Sequence, residues 1–436
     1  MKKRFILVAI ATISAIPVLA QADESTVLHA KNDDYSLMLG GRIQADYATY
    51  FNKSFLAPNG SVTDMGAAGA ILRRARIFTA GKIGEDWKFK FQYEFTQTGG
   101  GAAGFRDAYF AYTGLMPGNT ITLGQAKTFF TMDQLNSSND NVFMERPLLE
   151  GLDTYGDRRM GLKITQSGEN WMLGLGGFMN ALDEKVYTKY SGVARTAYTK
   201  TETVASISNS TSNQSGIYTI SGRATYAPLH SYGNDLYFGA NLNYTGFGDK
   251  NAAAFYGTRP ETSVAGTKLL EAYVSNPSSQ FNYTLETAAV AGPFSLEGAY
   301  VGMNVSRSLG LPTASFNGYY VQASYTLTGQ PRNFKPKLGE FHYLKDIGPG
   351  GAWEVALRYD RLNLNDANAG IYGGRGDAIT AGINWYANEH VRLMLDYSHG
   401  HVDGIPSTQP VGATWWNDPR YNSDLNILQF RGQFLF

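Results

Sequence analysis

Cysteine is absent from the 436-residue sequence. The chain therefore cannot form disulfide bonds or a thiolate metal site. Charge of one sign is not in excess either, because 37 basic residues balance 37 acidic residues. Nucleic-acid-binding proteins usually carry a basic face and a high isoelectric point, and the sequence shows neither. We therefore expect no nucleic-acid partner, and no motif in the chain indicates a cofactor.

Long hydrophobic runs are missing after residue 20. A membrane-spanning helix needs ~20 consecutive apolar residues, and the one candidate, Phe5–Ala20, is shorter and follows three N-terminal cations. Ala20-Gln21-Ala22 then fits the small-x-small cleavage pattern, so we predict a signal peptide over residues 1–22 and a mature start near Asp23. An exported chain without such helices can cross a membrane only as a β-barrel.

The sequence does contain regular alternation of apolar and polar residues. In the stretch 87–95, Trp87, Phe89, Phe91, Tyr93 and Phe95 share one face, and Lys88, Lys90, Gln92 and Glu94 share the other. A period of two residues indicates a β-strand with one apolar face and one hydrated face. The stretch 72–83 alternates in the same way, and Gly84-Glu85-Asp86 joins the two as a hairpin.

The same alternation recurs to the last residue, between connections that are alternately short and long. We predict sixteen strands, at about 37–51, 72–83, 87–95, 105–113, 119–126, 159–166, 171–181, 218–226, 236–247, 281–291, 294–305, 317–327, 353–362, 378–386, 391–399 and 425–436. An even number is required of a bacterial single-chain barrel, so 267–275 is assigned to a loop. The atypically long inner connection, about 328–352, is expected to contain a short helix.

The last strand ends on Phe436, which resembles the insertion signal of bacterial outer-membrane barrels. Three regions resemble the phosphate-selective porin O and P family: Leu72–Phe95 with the following Phe105-Arg106-Asp107-Ala108-Tyr109, the block Leu123–Gly161, and the C-terminal third with Trp353–Asp366 and Asp377–Gly400. The resemblance implies an all-β, sixteen-stranded outer-membrane barrel over residues 23–436 that assembles as a homotrimer. It also implies a third loop, 127–157, that folds into the lumen as a constriction. Lys127 matches the lysine at the start of that loop, and Arg158-Arg159 match the basic pair at its end.

Alternation assigns a set of cations to the inner face of the predicted barrel. The candidates for pore lining are Arg42, Arg74, Arg76, Lys82, Lys88, Lys90, Lys127, Arg159, Lys163 and Arg223. Fixed cations lower the barrier for anions in a low-dielectric channel, and the planar fork of arginine suits phosphate. The expected function is therefore passive diffusion of small hydrophilic solutes, with anions such as phosphate favoured. Inward charges that pair across strands would weaken this preference.

The third loop carries an excess of acidic residues. Its candidate constriction residues are Asp133, Asp140, Glu145 and Arg146. An acidic loop that faces a basic wall creates a transverse field, which is typical of a general, weakly selective porin. Two alternatives of another class are an outer-membrane hydrolase with catalytic residues at the rim and an adhesin that binds through its long loops, although the sequence singles out no catalytic residue.

Two further patterns concern residues outside the lumen. Arg73 has outward parity near the outer rim, where we expect it to extend towards the membrane interface or towards lipopolysaccharide phosphates. Other expected partners are outer-membrane lipid and small anionic solutes. His399 and His401 lie on one strand face, but no third metal ligand accompanies them, so we predict no metal site.

Overall fold

The computed structural model is a closed antiparallel β-barrel of sixteen strands. It describes residues 28–32, 34–51, 54–56, 62–64, 68–97, 103–153, 157–179, 181, 186–190, 207–210, 216–248, 253–265, 268–403 and 422–436. The predicted signal peptide lies outside the described residues.

Each predicted strand is confirmed, usually with longer bounds. The strands are β1 (Tyr35–Tyr50), β2 (Ala68–Ile83), β3 (Trp87–Glu94), β4 (Gly104–Tyr112), β5 (Asn119–Lys127), β6 (Arg158–Ser167), β7 (Trp171–Phe178), β8 (Tyr218–Ser231), β9 (Asn234–Gly246), β10 (Pro277–Ala291), β11 (Phe294–Arg307), β12 (Ala314–Thr326), β13 (Ala352–Asp366), β14 (Ile371–Tyr386), β15 (Val391–Asp403) and β16 (Asn422–Leu435).

Each strand pairs with its sequence neighbour, and β1 with β16 closes the barrel. The register places Arg42 opposite Leu435 at one end of that closing pair and Tyr50 opposite Ile427 at the other. A short N-terminal strand, Leu28–Lys31, pairs with Ser36–Leu39 on the same edge of β1, beyond the point where β16 ends. Closure leaves no free strand edge, which removes the usual risk of edge-to-edge aggregation.

The outward face of the barrel is apolar, as the alternation predicted. Exposed side chains on this face include Leu123, Leu175, Leu285, Leu357 and Ile379. The aromatic face of the first hairpin also points outward, with Trp87 about half exposed and next to Tyr112 (ring centroids 5.0 Å apart). Because such side chains would be unfavourable in water, this band is the surface that faces lipid.

Several short elements lie outside the sixteen wall strands. They include a helix, α1 (Met132–Leu135), a 3-10 turn (Leu148–Leu152), and the strand pairs Ser54–Leu56/Val62–Asp64, Val186–Tyr190/Ile207–Ser210, Ala253–Thr258/Leu270–Ser275 and Asn333–Lys335/Glu340–His342. Within the described part of the chain, no helix is long and apolar enough to span a membrane. The loop assignment of 267–275 is confirmed, because that segment forms a separate hairpin and not a wall strand.

Candidate functional site

The third loop crosses the lumen from one wall to the other. On one side, Asn243 and Asn241 of β9 donate hydrogen bonds of 2.7 Å to the carbonyl oxygens of Phe129 and Phe130. On another side, Asn384 of β14 donates to the carbonyl oxygen of Val142 at 2.9 Å. These wall amides satisfy backbone groups of the loop that the barrel shields from bulk water. The prediction that this loop folds into the lumen is confirmed.

A helix cap and two cations stabilise the middle of the third loop. Thr131 caps α1, because its hydroxyl accepts a hydrogen bond from the Gln134 amide at 3.0 Å. The Lys127 ammonium donates to the carbonyl oxygens of Gln134, Leu135 and Asn136 at 3.0, 2.5 and 2.9 Å. The Arg146 guanidinium donates to the first and last of these carbonyls at 3.1 Å each. Both cations thus bind the negative end of the helix.

The next part of the loop is attached to the wall through Glu145. Its carboxylate accepts from Arg73 Nε and Nη2 at 2.6 and 3.0 Å, and from Arg431 Nη2 at 3.2 Å. The expectation that Arg73 points outward is therefore wrong. The register between β1 and β2 shifts after Gln44, so Arg73 lies in a β-bulge. A bulge re-aims a side chain, and here both Arg73 and Arg74 point inward.

Next to this bulge, arginines of β1 and β2 form a row on the inner wall. Arg42 of β1 is directly opposite Arg76 of β2, which is opposite Glu94 of β3. Like charges that face each other across strands repel. One ion pair offsets this repulsion, because Arg76 Nε binds Glu94 at 2.6 Å. Arg42 donates a hydrogen bond of 2.7 Å to the neutral Ser138 hydroxyl of the third loop. Arg74 donates to the Gln44 amide oxygen at 2.8 Å.

The end of the third loop meets a second basic group. Asp157 accepts from Arg106 Nη2 at 2.6 and 2.8 Å and also pairs with Arg158. Arg158 binds Asp107 at 2.6 Å, and Lys90 lies 3.5 Å from the same carboxylate. Burial alone would raise the pKa of Asp157, but the neighbouring Arg106 and Arg158 hold that pKa well below its usual range.

Strict alternation missed Arg106 and Arg158. The β3–β4 register shifts between Phe91 and Tyr93, so Arg106 and Asp107 together oppose the single residue Gln92. Both of their side chains then reach the lumen. Arg158 also reaches it, at the start of β6, where it is paired across the strands with Lys127. The sequence did contain a signal for both residues. Strict alternation places their charged side chains on the apolar outward face, and such a charge indicates that the alternation is interrupted.

The remaining predicted cations lie in different surroundings. Lys82 and Lys88 are exposed and directly opposite each other at the short-turn end of the barrel. Arg159 donates to the Met179 carbonyl at 2.7 Å, and Lys163 donates to the Lys127 carbonyl at 3.3 Å. Arg223 is buried and lies 2.7 Å from the Glu286 carboxylate.

Solvent exposure divides the lumen into two sectors. Near β3–β6, the side chains of Lys90, Arg106 and Arg146 are 21%, 25% and 21% exposed. On the other walls, Arg223 and Arg358 are 0% and 1% exposed. Water thus reaches Lys90, Arg106 and Arg146 and hardly reaches Arg223 of β8 and Arg358 of β13. We call the first region the basic sector and define it by Lys90, Arg106, Lys127, Arg146 and Arg158.

A second loop, 253–275, also folds into the barrel, which the sequence reasoning did not predict. Its hairpin packs into a hydrophobic cluster with the inner faces of β11–β14 and with the third loop. Buried members of this cluster are Tyr256, Leu270, Val274, Leu148, Leu149, Leu152, Val301, Met303, Val305, Phe316, Leu362, Leu364 and Ile371. A signal existed in β11, where Ala299, Val301, Met303 and Val305 make the inward face apolar. Strands that are apolar on their inner face need an apolar partner there.

The long inner connection, 327–351, adds a third inserted element from the opposite end. The helix expected there is wrong, because the segment forms the short hairpin Asn333–Lys335/Glu340–His342. Two prolines, Pro331 and Pro336, flank its first strand and disfavour a helix. The hairpin contacts the third loop, since the Phe341 amide donates to Asn136 Oδ1 at 2.8 Å.

The acidic residues of the third loop carry less negative charge than their number suggests. Glu145 keeps a carboxylate that is paired, and Arg73 and Arg431 lower its pKa despite its burial. In contrast, burial raises the pKa values of Asp133 and Glu150, and it raises that of Asp153 to about 7. Asp140 is buried, and its carbonyl accepts from Arg332 at 2.8 Å.

The histidines that the sequence singled out form hydrogen bonds on the outer side of the barrel. His401 bonds Asp424 at 2.6 Å and Asp403 at 3.2 Å, and His399 bonds Asn426 at 2.9 Å. Among the described residues, no group of three or more histidine or carboxylate side chains is arranged to hold a metal ion.

Comparison with known proteins agrees with this architecture. The family model described as phosphate-selective porin O and P matches residues 37–436. Porin O of Pseudomonas aeruginosa is 27% identical over 406 residues, which cover 85% of this chain and 84% of that protein.

Solved structures share the fold. An anion-selective porin from Comamonas acidovorans superposes with a TM-score of 0.54 at 16% identity, covering 92% of this chain and all of that one. The trimer form of OmpT, an outer membrane protein of Vibrio cholerae, gives a TM-score of 0.50 at 10% identity, covering 93% of this chain and all of that one. Because the family model spans nearly the whole barrel, the chain belongs to the phosphate-selective porin O and P family and is a channel of the bacterial outer membrane.

Proposed function

We propose that this channel passes small hydrophilic solutes through the basic sector and favours anions, phosphate among them. The observation that carries the proposal is the exposure of Lys90, Arg106 and Arg146, because water reaches these cations and hardly reaches Arg223 and Arg358 on the other walls. A solute that follows water through the lumen passes these cations. Fixed positive charges in a low-dielectric channel lower the barrier for anions and raise it for cations.

Phosphate is a suitable solute because arginine dominates the wall. A guanidinium offers a planar fork of donors that matches two phosphate oxygens, whereas an ammonium acts as a point charge. Arg106 and Arg158 share Asp157, and Arg42 donates to the neutral Ser138 hydroxyl. These contacts are exchangeable hydrogen bonds, so an incoming anion can replace part of them without leaving a cation unpaired.

The alternative of a general, weakly selective porin depends on the negative field of the third loop. In that loop, Glu145 and Asp157 are each paired with two arginines of the wall. Burial favours the protonated form of Glu150 and of Asp153. Both effects weaken the transverse field, which supports the anion-preferring alternative.

The test is the reversal potential of single channels in a potassium chloride gradient across a planar bilayer. We expect the sign of an anion-preferring channel, and we expect added phosphate to reduce the chloride current. Lys90→Gln should weaken both effects, whereas Lys31→Gln, which removes an exposed cation from the short N-terminal strand, should leave them unchanged. A cation-preferring wild-type channel would refute the proposal.

We also propose that the chain assembles as a homotrimer and acts as a channel without enzymatic activity. The fold that it shares with a trimeric outer-membrane protein supports the first point, and its family supports the second. Native mass spectrometry in detergent tests the assembly, and a monomer would contradict it. Hydrolysis of lipid or peptide substrates that a rim serine or histidine substitution abolishes would favour a hydrolase, and host-ligand binding by the outer loops would favour an adhesin.

The remaining proposals concern export and membrane partners. Residues 1–22 act as a signal peptide, so N-terminal sequencing of the mature protein should begin near Asp23. The outward apolar band contacts outer-membrane lipid, including lipopolysaccharide in the external leaflet.

A further inference from the structure

Arg358 lies on the inner face of β13, where both loops inserted from the outer end meet. It is 1% exposed, so its charge must be balanced within the protein. It donates to the Glu145 carbonyl of the third loop at 3.0 Å, and its guanidinium stacks over the Phe143 ring at 4.5 Å. It also pairs with Asp360 of its own strand at 3.1 Å. Its remaining ionic partner is Glu261, at the tip of the loop 253–275.

Glu261 is bound to the wall through every oxygen that it offers. One carboxylate oxygen accepts from Arg358, and the other accepts from the hydroxyls of Thr380 and Ser398. Its carbonyl accepts from the Gln429 amide at 2.8 Å. The backbone of Glu261 has a φ of +46°, which is unfavourable for a residue with a side chain. Such a conformation persists only where surrounding contacts enforce it.

The loop 253–275 and the third loop are packed against each other. Leu148, Leu149 and Leu152 of the third loop share one buried cluster with Tyr256 and Leu270 of the hairpin. A Cβ atom built on Gly151 would lie 2.9 Å from the Cβ of Thr258, so the two backbones nearly touch. The hairpin makes no strand pairing with the barrel wall. A shift of the hairpin would therefore also shift the third loop.

We propose that Glu261 and Arg358 are positioning residues that determine the selectivity of the channel. They hold the loop 253–275 against β13–β15, and that loop fills its side of the lumen and keeps the third loop beside the basic sector. Solutes are thereby confined to a path next to Lys90 and Arg106. The inference rests on the proposed anion preference for its effect on selectivity, but its effect on loop position is independent of that preference.

Removal of Arg358 leaves the Glu261 carboxylate buried without its counter-charge, which strongly favours release of the loop. Removal of the Glu261 charge leaves Arg358 paired with Asp360 of its own strand and breaks the ionic contact that ties the loop to β13. A freed loop widens the path and moves ions away from the basic wall. The potential of fixed charges falls about threefold over a Debye length of ~10 Å at 0.1 M salt, so a displacement of that size lowers the anion-to-cation permeability ratio.

The experiment combines a double-mutant cycle with a covalent rescue. Glu261→Gln, Arg358→Met and the double variant are compared with wild type for conductance, reversal potential and hydrogen exchange of residues 129–153. We expect each single change to raise conductance, lower anion preference and increase exchange. We expect the double variant to resemble the single ones, because both changes break the same contact. Retained heat-modifiable migration on gels shows that the barrel is folded in each variant.

The rescue uses the absence of native cysteine. A Cβ atom built on Gly373 of β14 would lie 2.6 Å from the Cβ of Ala272 in the hairpin, so a small backbone shift allows a disulfide between Ala272→Cys and Gly373→Cys. In the Glu261→Gln background, oxidation should restore wild-type conductance and exchange, and reduction should abolish the rescue.

Wild-type conductance and exchange in both single variants would overturn the inference, and so would variants that the disulfide fails to rescue. If wild type has no anion preference, the proposed function fails. Conductance and exchange then still decide whether Glu261 and Arg358 position the loops.

Discussion

Lys127 separates two roles that an inward cation can have in this channel. The alternation of the sequence predicts a pore-lining cation at this position, whereas the structure shows its ammonium bound to three carbonyl oxygens of the third loop at 2.5–3.0 Å. Lys127→Met keeps the length of the side chain and removes the donor. We expect this variant to loosen the third loop.

The size of this effect follows from the three contacts. A hydrogen bond to a charged group contributes about 1.5–3 kcal/mol. Arg146 also donates to the Gln134 and Asn136 carbonyls, so it compensates for part of the loss. We therefore expect the loop to lose ~2–4 kcal/mol of stability. This loss corresponds to a roughly 30- to 1,000-fold larger population of the opened loop.

Hydrogen exchange of residues 129–153 measures that population directly, and current noise in single-channel recordings reports it independently. Lys163→Met is the matched control, because Lys163 is an inward cation of β6 that donates one bond of 3.3 Å to the Lys127 carbonyl. We expect the control to leave exchange in α1 unchanged. Lower phosphate binding in Lys127→Met with unchanged exchange would refute the positioning role and favour direct solute contact.

Three further predictions concern other parts of the lumen. Arg73→Ala should leave the Glu145 carboxylate with Arg431 as its wall contact and increase exchange at residues 143–147, whereas unchanged exchange would contradict the inward placement of Arg73. Asp153 has a folded-state pKa of about 7, raised by burial, so the third loop should lose stability as pH rises from about 4 to about 7. Asp153→Asn should weaken this dependence of exchange on pH, and an unchanged dependence would assign it to the other buried carboxyls of the loop, Asp133 and Glu150. Leu270→Ala should destabilise the hairpin 253–275 by about 2–5 kcal/mol and raise conductance, and an unchanged conductance would show that this hairpin does not restrict the path.

The barrel could be predicted from sequence because one signal, the alternation of apolar and polar residues, is repeated in every strand. The strand β3 is an example, since its aromatic face and its charged face identify the outer and inner sides without any knowledge of the neighbours. The position of each strand in the ring then follows from chain order. The fold can therefore be predicted from a local pattern that recurs in every strand.

The interior was harder to predict because it depends on local departures from that pattern. One bulged residue turns Arg73 from the outer to the inner face, and the shift opposite Gln92 does the same for Arg106. The insertion of the loop 253–275 depends on the ion pair between Glu261 and Arg358. These residues are far apart in sequence, and no local sequence pattern identifies either of them as a partner of the other. Contacts between distant residues of this kind are not encoded in periodicity.

The measurement that tests the central claim most directly is the reversal potential of the wild-type channel and of Lys90→Glu in a tenfold potassium chloride gradient. The basic sector predicts a wild-type potential with the sign of anion preference, and a shift towards cation preference when the charge of Lys90 is reversed. A wild-type potential near zero or with the cation sign, or one that Lys90→Glu leaves unchanged, would contradict the claim that solutes pass along this wall.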